Sequence, residues 1–172
     1  KEFEKQEQEQ NMQMLKEEAI NRSTEFIKDM ISQLSWENLE VLVAALFQAM
    51  GYKTRMTSRG ADLGSDILAS PDGLGLTEPR IKIEVKKRTK DKIGAPEIRS
   101  FLGGLRTNEK GVYVCTGGFS KEARYESERA NFALTLIDSD YFVDLILEHY
   151  EALSLEAKSI LPLKRIYWPL QE

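Results

Sequence analysis

In the stretch RIKIEVKK, residues 80–87, an acid and a base stand two positions apart, Glu84 and Lys86. The strict alternation of apolar and charged residues predicts a β-strand, where residues i and i+2 share a face. Ile81, Ile83 and Val85 then point to one side, and Lys82, Glu84 and Lys86 to the other. Taken alone, this is also the pattern of any half-exposed strand with a charged outer face. A third group changes its weight: Asp66 follows the turn in GADLGSDI and opens the apolar run that precedes Glu84's strand. If the two strands pair as a hairpin through SPDGLGLTEP, two carboxylates and an ammonium converge. Close carboxylates repel, and one pKa rises unless a cation sits between them. A hard divalent ion with oxygen ligands and retained waters resolves that conflict. Lys86 would then stand beside a metal-bound water, positioning it as a nucleophile and stabilising charge on an attacked phosphate.

The elements that must hold these residues can be read from periodicity. The first 34 residues lack proline and glycine and are rich in Glu, Lys and Gln, which predicts a long helix. Met12, Leu15, Ala19, Phe26 and Met30 form its expected apolar stripe; its role is either a connector packed on the domain or a weak dimerising coiled coil. Ser35 is placed to cap a second helix, WENLEVLVAALFQAM. Trp36, Leu39, Val43, Leu46 and Phe47 form its core stripe, and Gly51 ends it. Strands are expected at YKTRMTS, DILA, RIKIEVKK, GVYVCT and LTLID. Helices are expected from Pro96 through EIRSFLGGL, from Ser120 through SKEARYESERANFA, and at SDYFVDLILEHYEAL. The later strands, buried on both faces between helices, make this an α/β chain with a mixed central sheet flanked by helices.

Composition narrows the function classes. A net charge of −4 lacks the overall basic footprint of a protein that coats nucleic acid, so such a partner must meet a local patch. Arg80, Lys82, Lys86, Lys87, Arg88, Lys90 and Lys92 supply one around Glu84; it reads equally as a solvated basic loop or as a phosphate-binding surface. The single cysteine, Cys115, excludes an intrachain disulfide framework and suits a reducing compartment. No apolar run approaches a membrane span, so the expected location is the cytoplasm. His149, the only histidine, falls near the end of a helix, where it complements the dipole.

Beyond these readings, Asp66 with Glu84-Val85-Lys86 resembles the PD-(D/E)xK nuclease signature, and the surroundings resemble the catalytic domain of Mrr-like restriction endonucleases. LEVLVAALFQAMGY carries Glu40 where that family has a helical glutamate ahead of MGY. DLGSD, residues 62–66, is similar to its Asp-x-Gly-x-Asp turn. VCTGGFSKEA and LTLIDSDYFVDLI match its next strand-to-helix junctions. Many relatives have glutamine at the position of Glu84, so this chain is nearer the wider superfamily pattern.

The resemblance, over about residues 34–147, implies a restriction-endonuclease-like core and a Mg2+-dependent DNA endonuclease, with Mn2+ able to substitute. It implies that Asp66 and Glu84 bind the metal with the Val85 carbonyl, that Lys86 serves the attacking water, and that Glu40 reaches in from the helix. Asp62 is expected to hold its turn. Lys82, Lys87, Arg88, Lys90, Lys92 and the helix N-terminus at Ser120 are expected to meet DNA phosphates. The expected organisation is a helical linker or assembly segment over 1–33, the nuclease domain over 34–152, and a C-terminal helix and tail over 153–172. The implied partner is double-stranded DNA, cut by a homodimer or higher oligomer, with a separate recognition domain or subunit and a type IV-like role against modified DNA. The alternatives are a junction or repair nuclease, or a non-cleaving DNA-binding or oligomerisation module that retains the fold.

Overall fold

Five strands lie in the order in which the chain makes them, and helices cover both faces of their sheet. The computed structural model describes residues 2–57 and 67–169. Asp62 and Asp66 therefore lie outside the described residues. Helix α1 (Glu2–Gln33) is followed by α2 (Trp36–Ala49), β1 (Lys53–Met56), β2 (Ile67–Ser70) and β3 (Arg80–Lys86). Then come α3 (Ala95–Gly103), β4 (Glu109–Cys115), α4 (Lys121–Glu128), β5 (Leu134–Ile137), α5 (Ser139–His149) and α6 (Leu155–Ile160).

The first three strands are antiparallel, and β4 and β5 join β3 in parallel. The expected hairpin through SPDGLGLTEP exists: Ile67 lies opposite Ile83, Leu68 opposite Lys82 and Ala69 opposite Ile81. Asp72 organises that connection. Its carboxylate accepts the N–H groups of Leu74, Gly75, Leu76 and Thr77 and the Ser70 hydroxyl. Gly73 and Gly75 adopt positive φ there, the left-handed conformation glycine enters without a Cβ penalty.

Two cores form, one on each face. Ile67, Ile81, Ile83, Val85, Val112 and Val114 pack with α2, α5, α6 and the end of α1. On the other face Tyr113 and Cys115 pack with Ile98 and Phe101 of α3, Ile93, Phe119, and Ala123 of α4. Helix α2 is buried on almost every side, because the sheet lies beneath it while α5 and α6 flank it. Ser35 caps it as expected, its hydroxyl oxygen accepting the Asn38 N–H at 3.1 Å.

Three expectations are corrected. The stripe on α1 holds only in part: Met30 packs against the core as expected, but Leu15 and Phe26 are exposed while Ile27 and Ile31 enter the core, on the stretch of α1 where Lys28 pairs with Asp140 of α5. Helix α4 stops at Glu128 rather than Ala133, since the Ala133 carbonyl is taken by the Gly111 N–H of β4 at 2.8 Å. The last expected helix breaks after His149 into a 3-10 turn over Tyr150–Ala152, and Ser154 then caps α6, accepting the Ala157 N–H. No helix among the described residues is long and apolar enough to cross a membrane.

Candidate active site

The alternation of β3 places its charged residues as the sequence predicts. Ile81, Ile83 and Val85 are buried against the α2 side. Lys82 leans over the Phe101 ring of α3, 5.8 Å from its centroid, so Lys82, Glu84 and Lys86 project from the α3 side. The Lys86 ammonium and the Glu84 carboxylate meet at 2.9 Å, with the Glu84 side chain 17% exposed and that of Lys86 38%. An acid and a base in contact, part-shielded yet open to solvent, are available to an approaching ligand.

Glu84's neighbour across the parallel ladder is Tyr113. Its ring meets Phe101 and Phe119 edge-on. Burial, with the negative charge of Glu84 second, raises its phenol well above the ordinary tyrosine value. Tyr113 is thus a neutral, apolar floor beneath the Glu84–Lys86 pair. Cys115, next along this face, is buried and unpaired with another cysteine, and burial pushes its thiol up; it is inert.

The basic loop after β3 is pinned at both ends. Thr116, just after β4, both accepts the Arg88 N–H and donates its hydroxyl to the Arg88 carbonyl, each at 2.9 Å. At the far end the Ile93 N–H donates to the Gly118 carbonyl and the Ser120 N–H to the Ile93 carbonyl. Gly117 lies between, and a Cβ there would stand 2.4 Å from the Asp91 carbonyl oxygen. The loop packs too closely for any side chain.

The residues expected at the site fall into distinct places. Glu84 and Lys86 are brought together. Val85 is buried within the ladder. Glu40 is buried, 5% exposed, but sits on α2, the layer that covers the opposite face of β3. Lys87, Lys90 and Lys92 are exposed on the pinned loop. Arg88 turns inward, its guanidinium paired with Glu97 of α3. Burial would push the Glu97 carboxyl up, yet the Gly94 N–H and Arg88 together hold it below the usual range. Ser120 is engaged as the cap of α4, accepting the Ala123 N–H at 3.1 Å.

Sequence reasoning assigned no role to Thr116, Gly117, Tyr113 or the Arg88–Glu97 pair. The signal for Glu97 was present: a glutamate in the first helical turn after Gly-Ala-Pro commonly reaches back to the N-cap amide.

Among the described residues no group of three or more His, Cys, Asp or Glu side chains is gathered to hold a metal ion. The described part of the expected set is nonetheless of the right kind, a hard carboxylate oxygen at the C-terminal end of a central strand, part-exposed and flanked by an ammonium. Asp66, the carboxylate expected beside it, is outside the described residues.

The Mrr_cat family model, a restriction endonuclease family, matches residues 31–146. No curated protein matches. Among solved structures, the DNA modification-dependent restriction endonuclease AspBHI is similar with a TM-score of 0.63 and 18% identity, over 80% of this chain and 38% of that one. The MspJI restriction endonuclease, in complex with a 27-mer oligonucleotide, matches with a TM-score of 0.42 and 17% identity, over 88% of this chain and 34% of that one. The chain thus spans little more than a third of the length of either enzyme. The AspBHI match shows a shared fold, and the family model covers well over half of this chain. The chain belongs to the Mrr_cat family of restriction endonucleases.

Proposed function

We propose that this chain is the cleavage module of a divalent-metal-dependent DNA endonuclease that hydrolyses phosphodiester bonds. The observation that carries the reading is the Glu84–Lys86 contact of 2.9 Å on the α3 side of β3, whose neighbouring strand β2 begins at Ile67. Ile67 lies opposite Ile83, and Asp66 immediately precedes Ile67 in the sequence. Asp66 and Glu84, with the Val85 carbonyl, are the groups that would hold Mg2+ or Mn2+; the ion, when bound, lowers the pKa of water and polarises a phosphoryl oxygen.

The chain's own residues have separate tasks. Lys86 holds its ammonium where it can orient a nucleophilic water and offset charge developing on the attacked phosphate. Glu84 holds the Lys86 ammonium in place through their 2.9 Å contact. Tyr113 supplies a dry wall, which strengthens both interactions. Lys87, Lys90 and Lys92, held out on a pinned loop, attract the DNA backbone toward a centre whose carboxylates would otherwise repel it. Glu40 would act from the α2 layer through water.

A type IV-like role against modified DNA, pairing of two copies for double-strand cutting, and a recognition region elsewhere belong to the same proposal. The first is supported by the fold shared with AspBHI, whose name describes modification dependence. The test is incubation of methylated and unmethylated supercoiled plasmid with Mg2+ or Mn2+, using the unmutated chain, Asp66→Ala and Lys86→Ala. Nicking or linearisation by the unmutated chain alone is the expected result. Equal cleavage by all three, or DNA binding with no cleavage by the unmutated chain under any condition, rejects it.

A further inference from the structure

Arginine in this protein is usually matched with acid. Arg22, Arg88, Arg99, Arg124, Arg129 and Arg165 each face a carboxylate. Among the described residues, the three arginines outside any ion pair are Arg55, Arg80 and Arg106, and all three line one cavity of about 170 Å3. They reach it from β1, from the first residue of β3 and from the loop after α3. Three arginines without an ion-pair partner around one cavity favour an anion there.

The other groups in the lining do not neutralise them. Among the described residues Glu109 is the only carboxylate in the lining, and its Oε2 accepts the Arg106 backbone N–H at 2.8 Å. Among the described residues three arginines stand against one carboxylate in this lining. Asp72, in the adjoining loop, is spent on that loop's own N–H groups. Moreover the Arg80 Nε is shut off from solvent without a hydrogen-bond partner, a destabilising state for a donor unless a ligand or water completes it. Guanidinium forks match the oxygen geometry of a phosphate. At roughly 30 Å3 per water molecule, the cavity has room for a phosphate group with its hydration.

Its position relative to the candidate active site points to which phosphate. Arg55 lies opposite Leu68, and Leu68 opposite Lys82. Residues directly opposite share a face, so Arg55, Arg80 and Lys82 stand on the same side of the sheet as Glu84 and Lys86. Arg80 precedes Glu84 by four residues, roughly 13 Å along a strand. That matches about four nucleotides at the axial rise of one DNA strand.

We propose that the Arg55–Arg80–Arg106 cavity binds a backbone phosphate of the DNA about four nucleotides from the bond attacked at Glu84 and Lys86. The assignment rests on the nuclease reading above, and it makes the α3-side face of β1, β2 and β3 the track along which one strand lies.

The test measures duplex binding by fluorescence anisotropy, without metal, in the Lys86→Ala chain and in the same chain carrying Arg80→Gln or Arg55→Gln. Arg55 is exposed, so its variant keeps the experiment decisive if Arg80→Gln fails to fold by circular dichroism. Each substitution is expected to weaken binding roughly tenfold and to lower the salt slope by about 0.9, the signature of one lost phosphate contact. A neutral methylphosphonate walked along the duplex should weaken the parent chain at a position a few nucleotides from the cut and leave the arginine variants unmoved there. Unchanged affinity and slope in both variants, or no duplex binding by the parent, overturns the assignment. So does stabilisation by inorganic phosphate that depends on Arg80 while duplex affinity stays unmoved, which would mark a site for a small free anion. Plasmid cleavage by the unmutated chain is read separately. Cleavage with unmoved affinities rejects the cavity assignment alone; reduced affinities without cleavage keep the cavity as a DNA-phosphate site but reject the nuclease reading and, with it, the distance from a cut.

Discussion

The Thr116 hydroxyl binds both backbone polar groups of Arg88, accepting its N–H and donating to its carbonyl, each at 2.9 Å. One side chain at the end of β4 thereby fixes the backbone two residues beyond Lys86. Thr116→Val keeps the shape and removes both bonds. It is expected to cost about 1–3 kcal/mol in denaturant unfolding and to lower cleavage, and Thr116→Ser should restore both. A Thr116→Val chain as stable and active as the parent would deny the hydroxyl its role.

Gly117 gives the same junction a steric test. Its Cβ would meet the Asp91 carbonyl oxygen at 2.4 Å and the Arg88 Cβ at 2.8 Å, neither of them the far end of a flexible chain. Gly117→Ala is expected to destabilise by about 1–3 kcal/mol and to displace the basic loop, seen as faster amide exchange over 87–92. Gly103→Ala, at the end of α3 with open space around it, is the control and should be near neutral.

Lys86→Ala separates chemistry from stability. The Glu84–Lys86 pair is part-exposed, and such pairs contribute only about 0–1 kcal/mol. Unfolding should therefore shift by less than about 1 kcal/mol, while plasmid cleavage falls by roughly 100-fold or more. A parallel loss of both would mean that the lysine is structural.

Asp72 predicts a pH dependence. Burial would push its carboxyl up, but the Ser70 hydroxyl and the N–H groups of Leu74, Gly75 and Leu76 outweigh this and hold it far below the usual range. A group depressed on folding contributes stability above its unfolded pKa, about 3.9 for aspartate, and loses it as pH falls toward the folded value. The parent should thus melt higher than Asp72→Ala at neutral pH, and the gap should narrow below about pH 4. A gap independent of pH would remove the carboxylate charge from the explanation.

Helix α1 is expected to be anchored by its end alone. Ile31 is fully buried and Leu15 is 46% exposed. Ile31→Ala should cost about 2–5 kcal/mol, and Leu15→Ala within about 0.5 kcal/mol of nothing, both by chemical denaturation. Equal costs would place the whole length of α1 in the core.

The sequence alone determined what depends on local periodicity. A strand repeats every two residues, so RIKIEVKK dictates that Glu84 and Lys86 share a face whatever surrounds them. Ser35 and Gly51 marked the ends of α2 because capping is decided by the residues at the boundary. Ordered motifs from Glu40 to the LID strand carried the family resemblance. Tertiary structure decided everything that depends on residues far apart in the chain. The basic run looked uniform, yet Arg88 was drawn away to Glu97, because α3 happens to return beside it. On α1, Ile27 and Ile31 joined Met30 against the core while Phe26 was left exposed, because α5, far along the chain, packs on that face. Arg55, Arg80 and Arg106 share a cavity only because β1, β3 and the loop before β4 meet. Long-range strand register brings such groups together, and no window of the sequence contains it.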